Sequence, residues 1–241
     1  MLQSPKAYKK RLIGKLWLPK AQHYGNILRP RLRKNKRLKI LSLTSDDNYV
    51  EIPRLIEGGL AYKQDVFLWT YDHFKKMRLQ SEGFQVLTPA RYEDTVTKSS
   101  GVIAEHFPFG ILNLDFISQD PKMSQGRMEL EIESIEATFK LQAKSPADSL
   151  QGFILIYTTM VDENSVDVKN LISKLNSYHV DGWPGLAISS YPSLAATLNE
   201  KTGIINKVLK AIPSKYDYTL LGCHPVTVDN ILSVVLAVKQ I

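Results

Sequence analysis

The alternation of short apolar runs with longer amphipathic runs after Lys39 is the feature that most constrains the fold. Short apolar runs bounded by turn residues are typical of buried strands, and the longer runs repeat apolar residues at helical spacing. Strands that alternate with helices indicate βαβ units and a mostly parallel sheet. The predicted strands are 38–43, 66–70, 85–87, 110–114, 152–157, 218–223 and 231–239, and the predicted helices are 49–58, 73–82, 125–143, 166–178 and one or two within 194–212.

The last two strands are predicted to pair antiparallel, because only a turn at 225–230 separates them. The predicted fold class is therefore α/β, with a doubly wound, mostly parallel seven-stranded sheet that ends in an antiparallel strand pair. The chain has 241 residues, which suffice for one such domain, and its 44% of hydrophobic residues argue against disorder.

Positive charge is concentrated at the start of the chain. Thirteen of the 31 Lys and Arg residues lie between Met1 and Lys39, where there is no Asp or Glu. The remaining 31 − 13 = 18 basic residues face 24 acidic residues, so the rest of the chain has a net charge of −6, although the whole chain has +7. The sequence therefore predicts two parts, a basic N-terminal arm at 1–38 and an α/β domain at 39–241.

The basic arm is predicted to bind nucleic acid, either RNA or DNA. Lys and Arg displace counterions from phosphates, and the interleaved rings of Tyr8, Trp17 and Tyr24 suit base stacking. Apolar residues at helical spacing also predict a short amphipathic helix at 8–18, which Pro19 would end. The candidate nucleic-acid-binding residues are Lys9, Lys10, Arg11, Lys15, Arg29, Arg31, Arg33, Lys34, Lys36 and Arg37.

Three other interpretations of the arm stay open at this point. It resembles an organellar transit peptide in charge, it suits an anionic membrane surface, and it is compatible with a solvated tail that has no partner. The rings favour nucleic acid, including RNA within a larger nucleoprotein assembly. We expect no transmembrane segment and no secretory signal, and the single Cys223 fits a reducing, intracellular compartment such as the cytoplasm.

Polar side chains gather after the predicted strands, where doubly wound sheets bind their ligands. Acidic and hydroxyl groups suit a ligand rich in hydroxyls and amines, such as a nucleoside, although Asp and Asn are also common in turns and helix N-caps. No Cys or His pair has the spacing of a zinc site, so no metal is predicted. The candidate ligand-binding residues are Thr44, Asp46 and Asp47 after the first strand, Asp72 after the second, Glu93 after the third, and Asn113 and Asp115 at the end of the fourth.

The order of these elements resembles the class I S-adenosylmethionine-dependent methyltransferase fold over residues 39–241. That resemblance implies S-adenosylmethionine as the cofactor, with Asp72 on the ribose hydroxyls, and with Asn113 and Asp115 facing the reacting group. Thr44, Asp46, Asp47 and Glu93 would complete the cofactor site, the two aspartates near its methionine end. The run Asn113-Leu114-Asp115-Phe116 is similar to the Asn-Pro-Pro-aromatic motif of amino-group methyltransferases, but Leu114 and Asp115 replace the prolines.

The loop after the first strand departs from this family. The family has a Gly-x-Gly turn there, which allows the ligand to approach the backbone closely, whereas residues 43–48 contain no glycine. Two functions are therefore predicted side by side. The first is a methyltransferase-like enzyme that acts on or is bound to nucleic acid, and the second is a catalytically inactive methyltransferase-like subunit that binds nucleic acid or supports a nucleoprotein assembly.

Overall fold

A seven-stranded sheet organises the computed structural model of the protein, which describes residues 12–28, 38–43, 51–70, 72–87, 91–98, 103–117, 127–144, 151–161, 168–178 and 197–241. The sheet has the order β3-β2-β1-β4-β5-β7-β6. Its strands are β1 (Ile40–Leu43), β2 (Val66–Trp69), β3 (Gln85–Leu87), β4 (Ile111–Asp115), β5 (Gly152–Met160), β6 (Tyr218–Val228) and β7 (Ile231–Gln240).

Helices cover both faces of this sheet. A π-helical turn at Ile13–Trp17 leads into the first α-helix. The α-helices are α1 (Leu18–Leu28), α2 (Glu51–Glu57), α3 (His73–Ser81), α4 (Tyr92–Thr97), α5 (Arg127–Lys144), α6 (Val168–Ser177) and α7 (Leu198–Ala211), with short 3-10 turns at Lys63–Asp65, Ala104–His106 and Pro213–Tyr216. The predicted α/β class is confirmed, and α4 is a helix that the sequence pattern did not predict.

The strand order reverses between β1 and β4. The chain first adds β2 and β3 on one side of β1, all parallel, and then crosses over to place β4 and β5 on the other side. The last strand, β7, inserts antiparallel between β5 and β6. The predicted antiparallel pair is confirmed, and the reversal creates the crevice at which ligands of doubly wound sheets bind.

Two apolar layers sandwich the sheet. The front face carries residues such as Ile40, Leu68 and Ile154, which pack against residues 12–28, α2 and α3. The back face carries residues such as Leu112 and Leu155, which pack against α4, α5, α6 and α7. Because strand side chains alternate between faces, the central strands β1, β2, β4 and β5 contribute to both layers and are mostly apolar along their length.

The described part of the basic arm packs on the front face. Leu12, Leu16, Trp17, Tyr24 and Leu28 are all buried there, and they follow one another after four, one, seven and four residues, so they share one side of the helical segment. The prediction that a helix ends at Pro19 is wrong, since α1 runs from Leu18 to Leu28. Pro19 closely follows the π-helical turn at Ile13–Trp17, where the regular α-helical hydrogen-bond pattern is already interrupted, so the missing N–H is tolerated there. The predicted boundary at residue 39 stays a prediction for 1–11 and 29–37, which lie outside the described residues.

The closing hairpin is longer than the sequence pattern predicts. The expected turn at 225–230 is limited to Asp229 and Asn230, and Pro225 lies inside β6, opposite Val234. Proline fits there because β6 is the edge strand of the sheet, where the N–H that proline lacks is not needed for pairing. Asp229 has φ 54°, a left-handed conformation that Asp tolerates better than most residues.

Candidate functional site

The strand reversal places Asp115 at the carboxyl edge of the sheet. Asp115 is the last residue of β4, is 3% exposed, and accepts a hydrogen bond at Oδ1 from the Ile117 amide at 3.2 Å. This bond bends the chain away from the strand, as Asp commonly does at a turn. The carboxyl group is therefore held at the crevice by its own backbone.

Asp72 lies at the same edge, after β2. Its amide donates to Thr70 Oγ1 at 3.2 Å, and its Oδ1 accepts from the Lys75 amide at 3.1 Å, so Asp72 is the N-cap of α3. Asp72 is nevertheless exposed. The two interpretations of this residue, helix cap and ligand carboxylate, are therefore compatible in the structure.

Asn113 lies deeper in the sheet than Asp115. It is fully buried, and its Nδ2 donates to Ser42 Oγ of the neighbouring strand β1 at 2.9 Å. This bond joins the two strands between which the order reverses. Its burial within the sheet gives Asn113 a structural contact that the sequence did not predict, and its catalytic role stays a prediction.

A second polar contact on the front face ties residues 12–28 to the sheet. Trp17 Nε1 donates to Ser233 Oγ at 2.9 Å, and Ser233 Oγ lies 3.1 Å from Thr158 Oγ1. All three side chains are buried. Thr158 and Thr159 lie beyond the predicted strand 152–157 but are inside β5, because that strand extends to Met160.

A buried carboxyl group lies under the carboxyl edge on the back face. Glu131 of α5 is fully buried, accepts from Arg127 Nε at 2.7 Å, and accepts from the Tyr157 hydroxyl at 2.7 Å. Burial raises the pKa of Glu131 to about 7, and the attraction of Arg127 opposes that rise. Arg127 Nη2 also donates to the Phe116 carbonyl, so this group holds the backbone that follows Asp115.

Sequence reasoning missed Glu131, although a signal for it exists. Positions 128, 131, 135, 138 and 142 repeat at helical spacing and form the buried stripe of α5. Glu131 thus lies on the apolar face of its helix, where an ionisable residue is rare unless it has partners. Tyr157 could not be assigned as its partner, because the pairing depends on how α5 crosses β5.

Aromatic side chains form a row below the carboxyl edge. Trp69, Tyr92, Phe116 and Tyr157 follow one another with ring centroids 5.7, 6.4 and 5.9 Å apart. The Tyr92 hydroxyl lies 2.6 Å from Thr138 Oγ1, which satisfies its polar end in the core. The row is buried and connects β2, α4, the residue after β4, and β5, so it supports the edge from behind.

The structure locates only part of the predicted site. Asp72 and Asp115 both lie at the carboxyl edge, and Glu93 is half-buried in the first turn of α4. In the part of the chain that the structure describes, no three His, Cys, Asp or Glu side chains are grouped to hold a metal ion, and no helix is long and apolar enough to cross a membrane. The predicted residues outside the described ranges are Thr44, Asp46, Asp47, Lys9, Lys10, Arg11, Arg29, Arg31, Arg33, Lys34, Lys36 and Arg37.

Comparison with known proteins finds matches for the fold but none for the sequence. No protein-family model and no curated protein matches the sequence. The plantazolicin methyltransferase BamL, solved with S-adenosylhomocysteine (SAH) and a substrate analogue, matches the fold with a TM-score of 0.50 and 6% identity. The match covers 98% of this chain and 88% of that one. The fold is that of the class I methyltransferases.

Two further methyltransferase-fold structures are similar at lower TM-scores. Magnesium protoporphyrin IX methyltransferase from Synechocystis, solved with S-adenosylmethionine (SAM), has a TM-score of 0.47 and 11% identity, covering 100% of this chain and 86% of that one. Trm1 from Pyrococcus horikoshii, also solved with SAM, has a TM-score of 0.48 and 10% identity, covering 95% and 55%. Identities this low concern the fold and carry no statement about ligand or reaction.

Proposed function

We propose that the carboxyl edge of this sheet binds SAM, and that the protein is a methyltransferase-like enzyme that acts on or is bound to nucleic acid. The observation that carries the proposal is the exposed carboxylate of Asp72 beside the strand-order reversal of a class I methyltransferase sheet. A carboxylate is an acceptor for both hydroxyls of a ribose. The residues present therefore fit the nucleoside half of the cofactor.

Each candidate residue has a separate role in this proposal. Asp72 binds the ribose, Thr44, Asp46 and Asp47 bind near the methionine end, and Glu93 lies beside the base. The bound cofactor would supply an electrophilic methyl group. Asn113 and Asp115 are proposed to face the reacting group, and Asp115 is supported more strongly because it ends its strand whereas Asn113 donates to Ser42.

The Arg127–Glu131–Tyr157 group supports this site without touching it. Arg127 binds the carbonyl of the residue after Asp115, and Glu131 orients Arg127 from a fully buried position. Side chains that must be held in one geometry need such supporting hydrogen bonds. Loss of this group is expected to act on the position of the Asp115 turn.

The alternative function is a catalytically inactive subunit that binds nucleic acid. Two observations favour it: residues 43–48 have no glycine for a close ligand approach, and Asn113 is engaged inside the sheet. This alternative shares the fold and the basic arm with the enzyme. It differs in making no use of the carboxyl edge.

Calorimetric titration of the full-length protein with SAM tests the cofactor site. Asp72→Ala removes both the carboxylate and the helix cap, so Asp72→Ser provides a matched variant that keeps an N-cap oxygen. We expect both variants to lose at least about tenfold in affinity, the effect of one hydrogen bond to a charged group. Glu57→Ala, an exposed acidic residue of α2, is the control and should bind normally.

The outcomes of this titration separate the two functions. Binding to the wild type that both Asp72 variants weaken supports the enzyme. Absence of binding to the wild type contradicts the SAM proposal and favours the inactive subunit. A loss of affinity in Asp72→Ala, with normal binding in Asp72→Ser, would assign the residue to the helix cap rather than to the ligand.

An experiment on the contribution of the basic arm needs a shorter truncation than the predicted arm, 1–38. Removal of 1–38 would delete Leu12, Trp17 and Leu28 from the core, so a loss of binding would have no clear cause. We propose two separate variants. One lacks residues 1–11, and the other has Gln in place of the Lys and Arg residues within 29–37. RNA and DNA affinities measured at two salt concentrations should both fall, with a shallower salt dependence. An unchanged affinity and salt slope would contradict the role of the arm.

A further inference from the structure

Helix α3 has an inverted amphipathic pattern. Phe74 is 86% exposed and Met77 is 56% exposed, whereas Lys75 is only 7% exposed. Leu79, one turn after Lys75, is fully buried and anchors the helix on the front face. A lysine is rarely buried, so its burial on the same helix as two exposed large apolar side chains distinguishes α3 from an ordinary surface helix.

The exposed side of α3 combines these apolar groups with positive charge. His73, Phe74, Met77 and Arg78 share one side of the helix at spacings of one, three and four residues, and all four are exposed. We call these four residues the α3 face. The helix His73–Ser81 contains Lys75, Lys76 and Arg78 and no acidic residue, although Arg78 lies 3.9 Å from Glu82 beyond its end.

The α3 face begins at the carboxyl edge of the sheet. Asp72, which ends the connection from β2, caps the helix, and Phe74 follows two residues later. The rings of His73 and Phe74 lie edge to face, with centroids 6.2 Å apart. A ligand that crosses the α3 face therefore arrives beside the crevice in which Asp72 and Asp115 lie.

We propose that the α3 face binds single-stranded nucleic acid, with a base stacked on Phe74, Met77 extending the apolar platform, and Arg78 on a phosphate. This inference rests on the proposed function and names a contact of the nucleic acid besides the basic arm. Aromatic rings next to cations are the recurring platform for single-stranded DNA and RNA, since every base has a face that can stack. Arg binds phosphate through two parallel hydrogen bonds.

Charge and size select nucleic acid over other occupants. The body of the chain after Lys39 has a net charge of −6, whereas α3 contains no acidic residue and carries Lys76 and Arg78 outside the core, so its charge complements a polyanion. An interfacial membrane helix presents a broad apolar side, whereas α3 exposes only Phe74 and Met77. The platform has the size of one or two bases.

The test measures binding of the full-length protein to a fluorescein-labelled 12-nucleotide single-stranded RNA by anisotropy. The variants are Phe74→Ala, Phe74→Trp and Arg78→Gln. Leu130→Ala and Lys140→Gln are matched controls, because both residues are exposed on α5, on the opposite face of the sheet. Circular dichroism of each variant confirms that the fold is kept.

We expect Phe74→Ala to weaken the affinity by about 5- to 100-fold, the range for loss of one stacked base. Phe74→Trp should retain or increase affinity, since the larger ring still stacks. Arg78→Gln should reduce the slope of log affinity against log salt by about 0.7, the value for one phosphate contact of a single strand. Phe74→Ala should leave that slope unchanged, and both controls should bind like the wild type.

Other results overturn the proposal. Phe74→Ala within twofold of the wild type, as for Leu130→Ala, means that no base stacks on the α3 face. Loss of binding to phosphatidylserine vesicles in Phe74→Ala, with RNA binding unchanged, assigns the face to a membrane surface instead. If the 1–11 truncation weakens RNA binding and Phe74→Ala does not, only the α3 contact fails. If the wild type binds SAM and no RNA, the nucleic-acid part of the proposed function fails with it.

Discussion

Two basic helical segments of this protein use their aromatic side chains in opposite ways. Residues 12–28 and α3 both lie on the front face of the sheet, and neither contains an acidic residue. The basic residues of 12–28 are all lysines, whereas α3 contains both Lys and Arg. In the first segment Trp17 is 1% exposed and Tyr24 is 7% exposed. In α3 the ring of Phe74 is 86% exposed.

The difference shows that a basic, aromatic sequence does not by itself indicate a nucleic-acid surface. Trp17 and Tyr24 were expected to stack on bases, and that prediction is wrong, because both rings pack on the sheet. Trp17 donates to Ser233 in β7, and the Tyr24 hydroxyl lies 2.7 Å from His224 Nε2 in β6. Residues 12–28 therefore cover central and C-terminal strands, whereas α3 lies at the β2–β3 end of the sheet.

Truncation of the two large rings should give the largest contrast in stability. Trp17→Ala removes a buried ring and the hydrogen bond to Ser233, so we expect a loss of about 3–5 kcal/mol in the free energy of unfolding. Phe74→Ala removes a side chain already in water, so we expect a change within about 0.5 kcal/mol. Urea denaturation followed by circular dichroism measures both.

Trp17→Phe separates the ring from its hydrogen bond. It keeps most of the buried area and loses the donor to Ser233, which retains its contact with Thr158, so an intermediate loss of about 1 kcal/mol is expected. A loss below 1 kcal/mol in Trp17→Ala would contradict the assignment of residues 12–28 to the core. A loss above 2 kcal/mol in Phe74→Ala would contradict the exposure on which the α3 face depends.

Two glycine substitutions compare a position crowded by α1 with an open position in α7. A Cβ on Gly222 would overlap the Tyr24 hydroxyl, so Gly222→Ala should destabilise the protein by about 1–3 kcal/mol. A Cβ on Gly203, inside α7, would meet nothing within 4 Å, so Gly203→Ala should stabilise by about 0.5–1 kcal/mol through helix propensity. Thermal or urea unfolding gives the two signs.

The Gly222 effect has a specific rescue. Tyr24→Phe removes the hydroxyl that the new methyl group would meet, so the double variant should lose less than the sum of the two single variants. Strict additivity would mean that the destabilisation arises from the β6 backbone, which has an irregular register between Leu220 and Gly222, and not from α1.

Lowering the pH should weaken the contact between α1 and β6. Its effect on the free energy of unfolding should be smaller than those of the ring truncations and the glycine substitutions. Burial lowers the pKa of His224 below its ordinary 6.5, and Lys20 and His23 lower it further. The unfolded chain therefore binds more protons below about pH 6.5, and the free energy of unfolding falls as the pH falls through the window between the two pKa values. Above that window the stabilisation is complete.

His224→Gln is the variant that isolates this pH dependence. It keeps a polar partner for Tyr24 and has no titratable group, so its free energy of unfolding should fall less than that of the wild type between about pH 6.5 and 5. Urea denaturation at several pH values measures the difference. Parallel pH profiles of the two proteins would show that His224 does not couple α1 to proton binding.

The strands were largely predictable because their signal is local. The runs at 66–70 and 110–114 became β2 and β4 within one residue at their ends, since a strand buried on both faces needs mostly apolar side chains. Helix α4 was missed because Tyr92–Thr97 is short and presents only Tyr92 and Val96 to the core. The extent of β6 was underestimated because a proline such as Pro225 predicts a turn unless the strand is known to be an edge strand.

The candidate site was predictable only in part. Asp72 and Asp115 follow strands, and the rule that ligands bind at the carboxyl ends of parallel strands places both at one edge. Glu131 and its partners were beyond such a rule, because Arg127, Glu131 and Tyr157 come from two elements whose crossing depends on packing. Asn113 was assigned to the edge although its side chain joins β1 to β4.

The sequence by itself determined the order and type of the elements, the antiparallel strand pair and the charge division of the chain, because these depend on local spacing and composition. Only the tertiary structure decided which side chains of each basic segment are exposed. Burial depends on the neighbours that the fold brings together: Trp17 is buried and donates to Ser233 of β7, whereas Phe74 is 86% exposed. A side chain's function follows from that neighbourhood, which no local pattern contains.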